Sequence, residues 1–224
     1  MRRRKAVIFF VFSFCVSIPL VFSYNYTGYK WNSNPSYYIN QDLDTDVCPG
    51  AESAVIRAAA TWSNVSNQSF RLSWAASTDL NYNPSGHDGF SVVGYWIFPD
   101  NRVGDTKAWY VGSGQIIECD TAFNTYYLWS ASLSDLCPWD RMDVQNVATH
   151  EFGHWLRLGN VGDYNATMCE FTEKGETKKR SLESDDMAGI RHIYGSGGGE
   201  KRGSGCGLNP AVPPEDDEIP EKKP

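Results

Sequence analysis

The sequence predicts an α+β domain, and three observations support this prediction. Apolar residues fall at helical spacing between positions 51 and 62. Short β-rich runs separated by turn residues follow as far as position 124. Two further helical segments, about 142–158 and 184–194, close the domain. Because the strands and one helix precede the other two helices, the order is typical of an α+β fold.

Each predicted element has a local reason. Apolar residues line one side of the first helix, and Val144, Val147 and Ala148 line one side of the second, which ends before Gly159. The predicted strands alternate polar and apolar residues or are rich in β-branched and aromatic residues, and residues 81–86 read as a turn. The first helical stripe consists of Ala51, Ala54, Val55, Ala58, Ala59 and Trp62, and the strands are residues 36–41, 69–77, 89–98, 107–112 and 114–124.

The two ends of the chain differ from the domain between them, which we place at residues 24–195. Residues 1–23 carry a basic start, a long apolar run and small residues before a plausible cleavage site, as in a secretory signal peptide. The competing interpretation is an uncleaved membrane anchor, since the apolar run approaches the length that spans a bilayer. Residues 196–224 are rich in Gly, Pro and charge and predict a flexible tail. We therefore expect a secreted, extracellular protein with no stable membrane span once the signal is removed.

Charge and cysteine content narrow the partners and the compartment. Loss of four basic residues with the signal takes the formal net charge from −7 to −11, which argues against a nucleic-acid partner. Five cysteines remain, and an oxidising compartment favours disulfide bonds among them. Of the possible pairings we choose Cys119 with Cys137 and Cys48 with Cys169.

The segment HEFGH (150–154) carries the chemistry. Residues four apart lie on one face of a helix, so His150 and His154 can both bind one metal ion. Zinc suits two imidazoles, and Glu151 beside them can act as a catalytic general base that takes a proton from an attacking water. The alternative is a chance pattern on an ordinary solvated helix.

Several segments then resemble the matrixins, the metzincin branch that contains the matrix metalloproteinases. HEFGH, LRLG and the later Met168 resemble the family's HExxHxxGxxH helix and methionine turn. The segments KWNSNPSYYIN, AVIRAAATWSNVSNQSFRL, DTAFNTYYLWS and SDDMAGIRHIYG resemble its opening, first helix, edge strand and last helix, over about residues 29–195. The resemblance implies a metzincin/matrixin-like catalytic domain with a twisted, five-stranded mixed sheet and three helices. It also implies a zinc endopeptidase with Met168 beneath the metal and an edge strand near residues 114–124 that binds extended substrate.

The sequence departs from the family at the metal site. Asn160 stands at the third-histidine position, and Arg157 stands at a glycine position where a positive φ costs about 1 kcal/mol. The third zinc ligand is therefore Asn160, Asp163 or only water. We expect His150, His154 and Asn160 as the protein ligands, with Asp163 retained as the alternative.

Other family sites are doubtful in this chain. The histidine of the family's structural zinc site corresponds to Ala122, and calcium ligands correspond to Asn124 and Tyr127. We therefore expect one catalytic Zn²⁺, and we interpret His87 and His192 as surface or packing residues.

Two functions follow from these observations. The first is a secreted zinc metalloendopeptidase, a monomer that hydrolyses protein or peptide substrates. The second is a catalytically impaired secreted binding protein that keeps the matrixin fold with an incomplete zinc site, as Arg157 and Asn160 suggest.

Overall fold

The computed structural model describes residues 24–65, 67–112, 114–195 and 217–220. The signal peptide predicted for residues 1–23, and all of the predicted tail except residues 217–220, lie outside these residues. Three helices confirm the prediction: α2 (Ala51–Ser63), α3 (Val144–Trp155) and α4 (Ser184–Tyr194). A single turn, α1 (Leu43–Asp46), and a 3-10 helix (Lys178–Arg180) are added to them.

The main sheet contains the five strands that the resemblance implies. Its order is β3 (Ser73–Thr78), β2 (Ser36–Asn40), β4 (Val92–Trp96), β6 (Gln115–Asn124) and β5 (Arg102–Val111). Pairing is parallel except between β5 and β6, which are antiparallel, so the predicted mixed sheet is confirmed. Short pairs lie beside it: β1 (Asn25–Tyr26) with β9 (Leu158–Gly159), and β7 (Trp129–Ser130) with β8 (Met142–Asp143).

The edge strand was predicted wrongly. Residues 115–124 form β6, which lies inside the sheet between β4 and β5. Residues Cys119–Asn124 are buried throughout, as expected for a strand covered on both faces. On this side, the edge of the five-stranded sheet is therefore β5, the partner of β6 in an antiparallel hairpin, and β3 forms the opposite edge.

A sixth strand adds to that edge. Residues Asp217–Pro220, here β10, pair antiparallel with β5 between Thr106 and Arg102. The prediction of a flexible tail did not anticipate this strand, because its four residues carry no strand pattern of their own and depend on the open edge of β5.

Helices α2 and α3 pack together on one face of the sheet. The indole of Trp62 in α2 donates to the carbonyl of Thr149 in α3 at 2.7 Å. On the inner face of α3, the rings of Phe152 and Trp155 pack edge-on against Tyr37 of β2, with centroids 5.4 and 6.2 Å apart. The HEFGH segment thus belongs to the buried core rather than to a loop.

The predicted disulfide bonds are wrong for the described cysteines. Cys48, Cys119, Cys137 and Cys169 are all thiols, so neither Cys119–Cys137 nor Cys48–Cys169 is present. Cys119 belongs to the buried strand β6, whereas the thiol of Cys137 lies in a partly exposed loop and contacts the carbonyl of Arg141 at 3.5 Å. Sequence separation carries no information about such placements.

Among the described residues, no helix combines the length and the apolar character that a membrane span requires.

Candidate active site

Helix α3 presents His150 and His154 to one point. The two Nε2 atoms are 3.0 Å apart, and both side chains are fully buried. His150 Nδ1 lies 2.8 Å from the carbonyl of Thr167, and His154 Nδ1 lies 2.8 Å from the carbonyl of Leu158. Because a carbonyl only accepts, each Nδ1 carries the proton and each Nε2 presents a lone pair.

Two lone pairs facing each other at this distance repel unless a cation lies between them. Protonation is disfavoured, because burial lowers the pKa of His150 well below its ordinary value, with Lys179 and His154 contributing in the same direction. A metal ion satisfies both nitrogens without protonation, and neutral imidazole is the form that binds zinc. The arrangement therefore fits the zinc ion that the resemblance implies.

The end of α3 returns the chain toward these histidines. Leu156 caps the helix, and Arg157 follows at φ 63°, in the left-handed region that ends many helices. The expectation of a strained non-glycine residue at this position is confirmed. After the turn, Leu158 and Gly159 form β9, which brings Asn160 back beside the helix.

Asn160 supplies the third polar group. Its Oδ1 is buried without a hydrogen-bond partner, and the carboxamide lies close enough to hydrogen-bond the ring of His150. A buried, unsatisfied oxygen beside the ring of His150 is a suitable metal ligand, because the ion would remove the penalty of its desolvation.

Asp163 occupies a different position. Its side chain is exposed, and its Oδ1 accepts from the backbone N–H of Asn165 at 3.0 Å within a local turn. Among the described residues, no three His, Cys, Asp or Glu side chains converge as a metal-binding group. The geometry therefore favours Asn160 over Asp163 as the third protein ligand.

Met168 packs against Gly153 of helix α3. It is buried, and a Cβ placed on Gly153 would lie 2.1 Å from its sulfur, so glycine at this position leaves space for the methionine in its observed place. The backbone N–H groups of Thr167 and Met168 donate to the carboxylate of Asp186 at 2.9 and 3.3 Å. Asp186 also closes the capping box of α4 with Glu183, the residue just before that helix.

Glu151 faces the sheet beside strand β5. Its Oε2 accepts from the hydroxyl of Thr106 at 2.6 Å. A Cβ on Gly104 would lie 2.5 Å from its Oε1, so the absence of a side chain at Gly104 makes room for the carboxylate. The general base predicted from HEFGH is thus held against the edge strand.

Sequence reasoning missed three residues around this site: Gly104, Thr106 and Asp186. Asp186 was not found because the usual capping-box signal is Ser, Thr, Asp or Asn followed three residues later by Glu or Gln, and here Glu183 is followed by Asp186. Gly104 and Thr106 carried no signal of their own, since their importance depends on which strand packs against α3.

The remaining candidate residues lie elsewhere. His87 is exposed on the loop before β4, and His192 is exposed near the ring of Tyr24, with centroids 5.7 Å apart. The amide of Asn124 donates to the carbonyl of Arg102 at 2.7 Å, so this side chain joins the two strands of the β-hairpin.

Arg157 provides a test of this geometry. Its Nε donates to Thr27 Oγ1 at 2.8 Å, and its guanidinium lies 5.6 Å from the ring centre of Tyr29. We expect Arg157→Ala to lower the free energy of unfolding by about 1–3 kcal/mol, because the contacts are lost and the backbone strain stays. Arg157→Gly should remain within about 1 kcal/mol of wild type, because relief of strain offsets the same losses. Denaturant unfolding measures both, and equal stability of the two variants would contradict the strained-turn interpretation.

The five-stranded mixed sheet, the HExxH helix and the methionine beneath it together define a metzincin fold. The family model described as Matrixin matches residues 30–195, and the chain belongs to the matrixin family. Matrixins are metalloendopeptidases, hydrolases with a catalytic zinc.

Curated relatives agree with this assignment. The chain is 29% identical to human matrix metalloproteinase-16 over 184 residues, covering 77% of this chain and 28% of that protein. It is 28% identical to metalloendoproteinase 1 of Glycine max over 156 residues, covering 64% of this chain and 45% of that protein. A shorter match of 70 residues, 39% identical, relates it to metalloendoproteinase 5-MMP of Arabidopsis thaliana, covering 31% of this chain and 18% of that protein. The chain thus spans less than half the length of these relatives.

Proposed function

We propose that the protein is a secreted zinc endopeptidase whose metal ligands are His150, His154 and Asn160 and whose general base is Glu151. The observation that carries the proposal is the pair of buried imidazoles whose Nε2 lone pairs face each other at 3.0 Å. The buried Oδ1 of Asn160 and the neighbouring carboxylate of Glu151 support it. Secretion is supported by the composition of residues 1–23, which is typical of a signal peptide. A protein or peptide substrate is supported by membership of the matrixin family.

The chain's own residues would divide the reaction among them. His150, His154 and Asn160 would hold the zinc, which when bound supplies a Lewis acid for the scissile carbonyl and lowers the pKa of an attacking water. Glu151 would take the proton from that water and then give it to the departing amide nitrogen. Both transfers require a carboxylate held in a fixed place.

Strand β5 would align the substrate. Gly104 and Thr106 of this strand border Glu151, so an extended peptide added to the same edge would pass the general base. Main-chain pairing with an edge strand is a recurrent way of binding extended peptides.

The proposal is tested by metal analysis and proteolysis together. Purified protein should contain about one zinc per chain and cleave casein or gelatin, and removal of zinc by a chelator should abolish cleavage until zinc is restored. Protein without stoichiometric zinc that cleaves neither substrate, beside an active matrixin control, would contradict it.

The second candidate is a matrixin-fold binding protein without catalysis. The observation that favours it is the carboxamide at position 160, because a carboxamide oxygen is a weaker zinc ligand than imidazole. This candidate predicts zinc-free protein or zinc-bound protein without hydrolysis, which the same assays separate from the first.

The edge pairing of residues 217–220 leads to a further prediction. An edge can pair with one strand at a time, so a substrate on Gly104 and Thr106 must displace β10, which pairs with Arg102–Thr106. We expect replacement of Asp217 and Glu218 by proline to lower KM about three- to tenfold, the equivalent of about one net hydrogen bond, with kcat unchanged.

Proline at Glu221 and Lys222 provides the control, because these residues follow the paired strand. KM values that are equal in wild type and in both proline variants would show that residues 217–220 do not compete with substrate.

A further inference from the structure

Four buried residues, one of which is the proposed general base Glu151, pack together between α3 and the sheet. Thr106 and Thr121 face each other as Cα partners across strands β5 and β6. Glu151 and Trp155 lie four residues apart on α3, on the helix face that packs on these strands. A cross-strand threonine pair therefore lies against an i, i+4 pair of the helix that carries the histidines.

Hydrogen bonds connect these four side chains in one line. The indole N–H of Trp155 donates to Thr121 Oγ1 at 2.8 Å. The hydroxyls of Thr121 and Thr106 are 2.7 Å apart, and Thr106 donates to Glu151 Oε2 at 2.6 Å. All four residues are at most 4% exposed, so water does not compete strongly for these groups.

The chemistry of the groups fixes the direction of the line. An indole nitrogen only donates, and an ionised carboxylate only accepts. Thr106 gives its single proton to Glu151, so it must accept from Thr121, and Thr121 in turn accepts from Trp155. Every proton of the line points toward the carboxylate, and its last bond has the length of a charge-assisted O–H···O⁻ bond.

We propose that Thr106 is a positioning residue for Glu151 and that Thr121 and Trp155 orient the Thr106 hydroxyl. This inference rests on the proposed function, since it assigns a purpose to the orientation of the general base. Thr106 holds one carboxylate oxygen against β5, and Gly104, two residues earlier on the same face, leaves space for the other. The carboxylate is thereby placed before substrate arrives, as general-base catalysis requires.

The line is separate from the metal-binding groups. His150 and His154 are oriented through the carbonyls of Thr167 and Leu158, neither of which belongs to the line. Removal of the Thr106 hydroxyl should therefore change the placement of Glu151 and leave zinc binding intact.

The test is Thr106→Val, which keeps the shape of the side chain and removes the hydroxyl. We expect kcat to fall about 10- to 100-fold, since small misplacements of a catalytic group have effects of this order. KM, zinc content and zinc affinity should stay at wild-type values. Thr106→Ser should restore kcat, because it restores the donor, whereas a purely structural defect would change stability or zinc affinity in both variants.

A matched control is Thr149→Val, on the same helix. Thr149 is buried, and its hydroxyl donates to the carbonyl of Gln145 at 2.7 Å rather than to a member of the line. We expect this variant to retain wild-type kcat, so a loss in Thr106→Val alone identifies the line. Equal losses in both variants, or wild-type kcat in Thr106→Val, would overturn the proposal.

Thr121→Val provides a second measurement if Thr106→Val fails to fold. It leaves the bond to Glu151 in place and removes the group that orients it, so kcat should fall less than in Thr106→Val and recover in Thr121→Ser. Unchanged kcat in folded Thr121→Val would overturn the role of Thr121. Loss of activity in Glu151→Gln with normal kcat in Thr106→Val would reject the positioning role and leave the proposed function standing, whereas an inactive wild-type protein would reject the proposed function itself.

Discussion

Replacement of Glu151 by glutamine is expected to lower kcat by about 10²- to 10⁴-fold, the range that general acid–base catalysis contributes. Glutamine has the size of glutamate and can still accept the hydrogen bond from Thr106, so the fold and the position of the side chain should be retained. What is lost is the ability to take and return a proton. Zinc content should remain at the wild-type value, because Glu151 is not one of the proposed metal ligands.

The measurement is steady-state kinetics on a fluorogenic peptide, with zinc measured on the same preparations. Glu170→Gln is a suitable control, because the substitution removes the same charge at a partly exposed position two residues after Met168. The result distinguishes the two candidate functions. A wild-type protein that hydrolyses peptides equally well after Glu151→Gln would remove Glu151 from the mechanism.

The elements of the fold were predictable because their signals are local. The apolar stripe that begins at Ala51 and ends at Trp62 defines α2, and the predicted helix 184–194 coincides with α4. HEFGH predicted the facing histidines for the same reason, since the spacing of four residues is a property of one helix.

The wrong predictions concern contacts between distant segments, which the sequence of a single segment does not determine. The order of strands in the sheet depends on pairing partners, so residues 114–124 were assigned to the edge although β6 is interior. The pairing of Thr106 with Thr121 depends on the register of a hairpin, and the placement of Cys119 and Cys137 depends on the whole fold. Such contacts are set by tertiary packing, which strand propensity does not encode.

Substitution of Asn160, the proposed third zinc ligand, is expected to have the second large effect, a change in zinc affinity. If Asn160 binds zinc through Oδ1, Asn160→Ala should weaken zinc affinity by at least the 10- to 100-fold that loss of an outer-shell partner commonly costs. Asn160→His should strengthen affinity by about the same factor, because imidazole is the better zinc ligand.

Asp163→Ala is the matched comparison, because it removes the other candidate oxygen ligand. Zinc affinity measured by competition with a chelator should be unchanged, since the Asp163 carboxylate caps its own turn through Asn165. The reverse pattern, with Asp163→Ala weakening the site and Asn160→Ala leaving it intact, would require the loop after Gly159 to rearrange when metal binds. If neither variant changes affinity, the two imidazoles hold the ion without a third protein ligand. Asn160→His should then still tighten binding, because the left-handed turn at Arg157 brings position 160 beside His150 whichever residue occupies it.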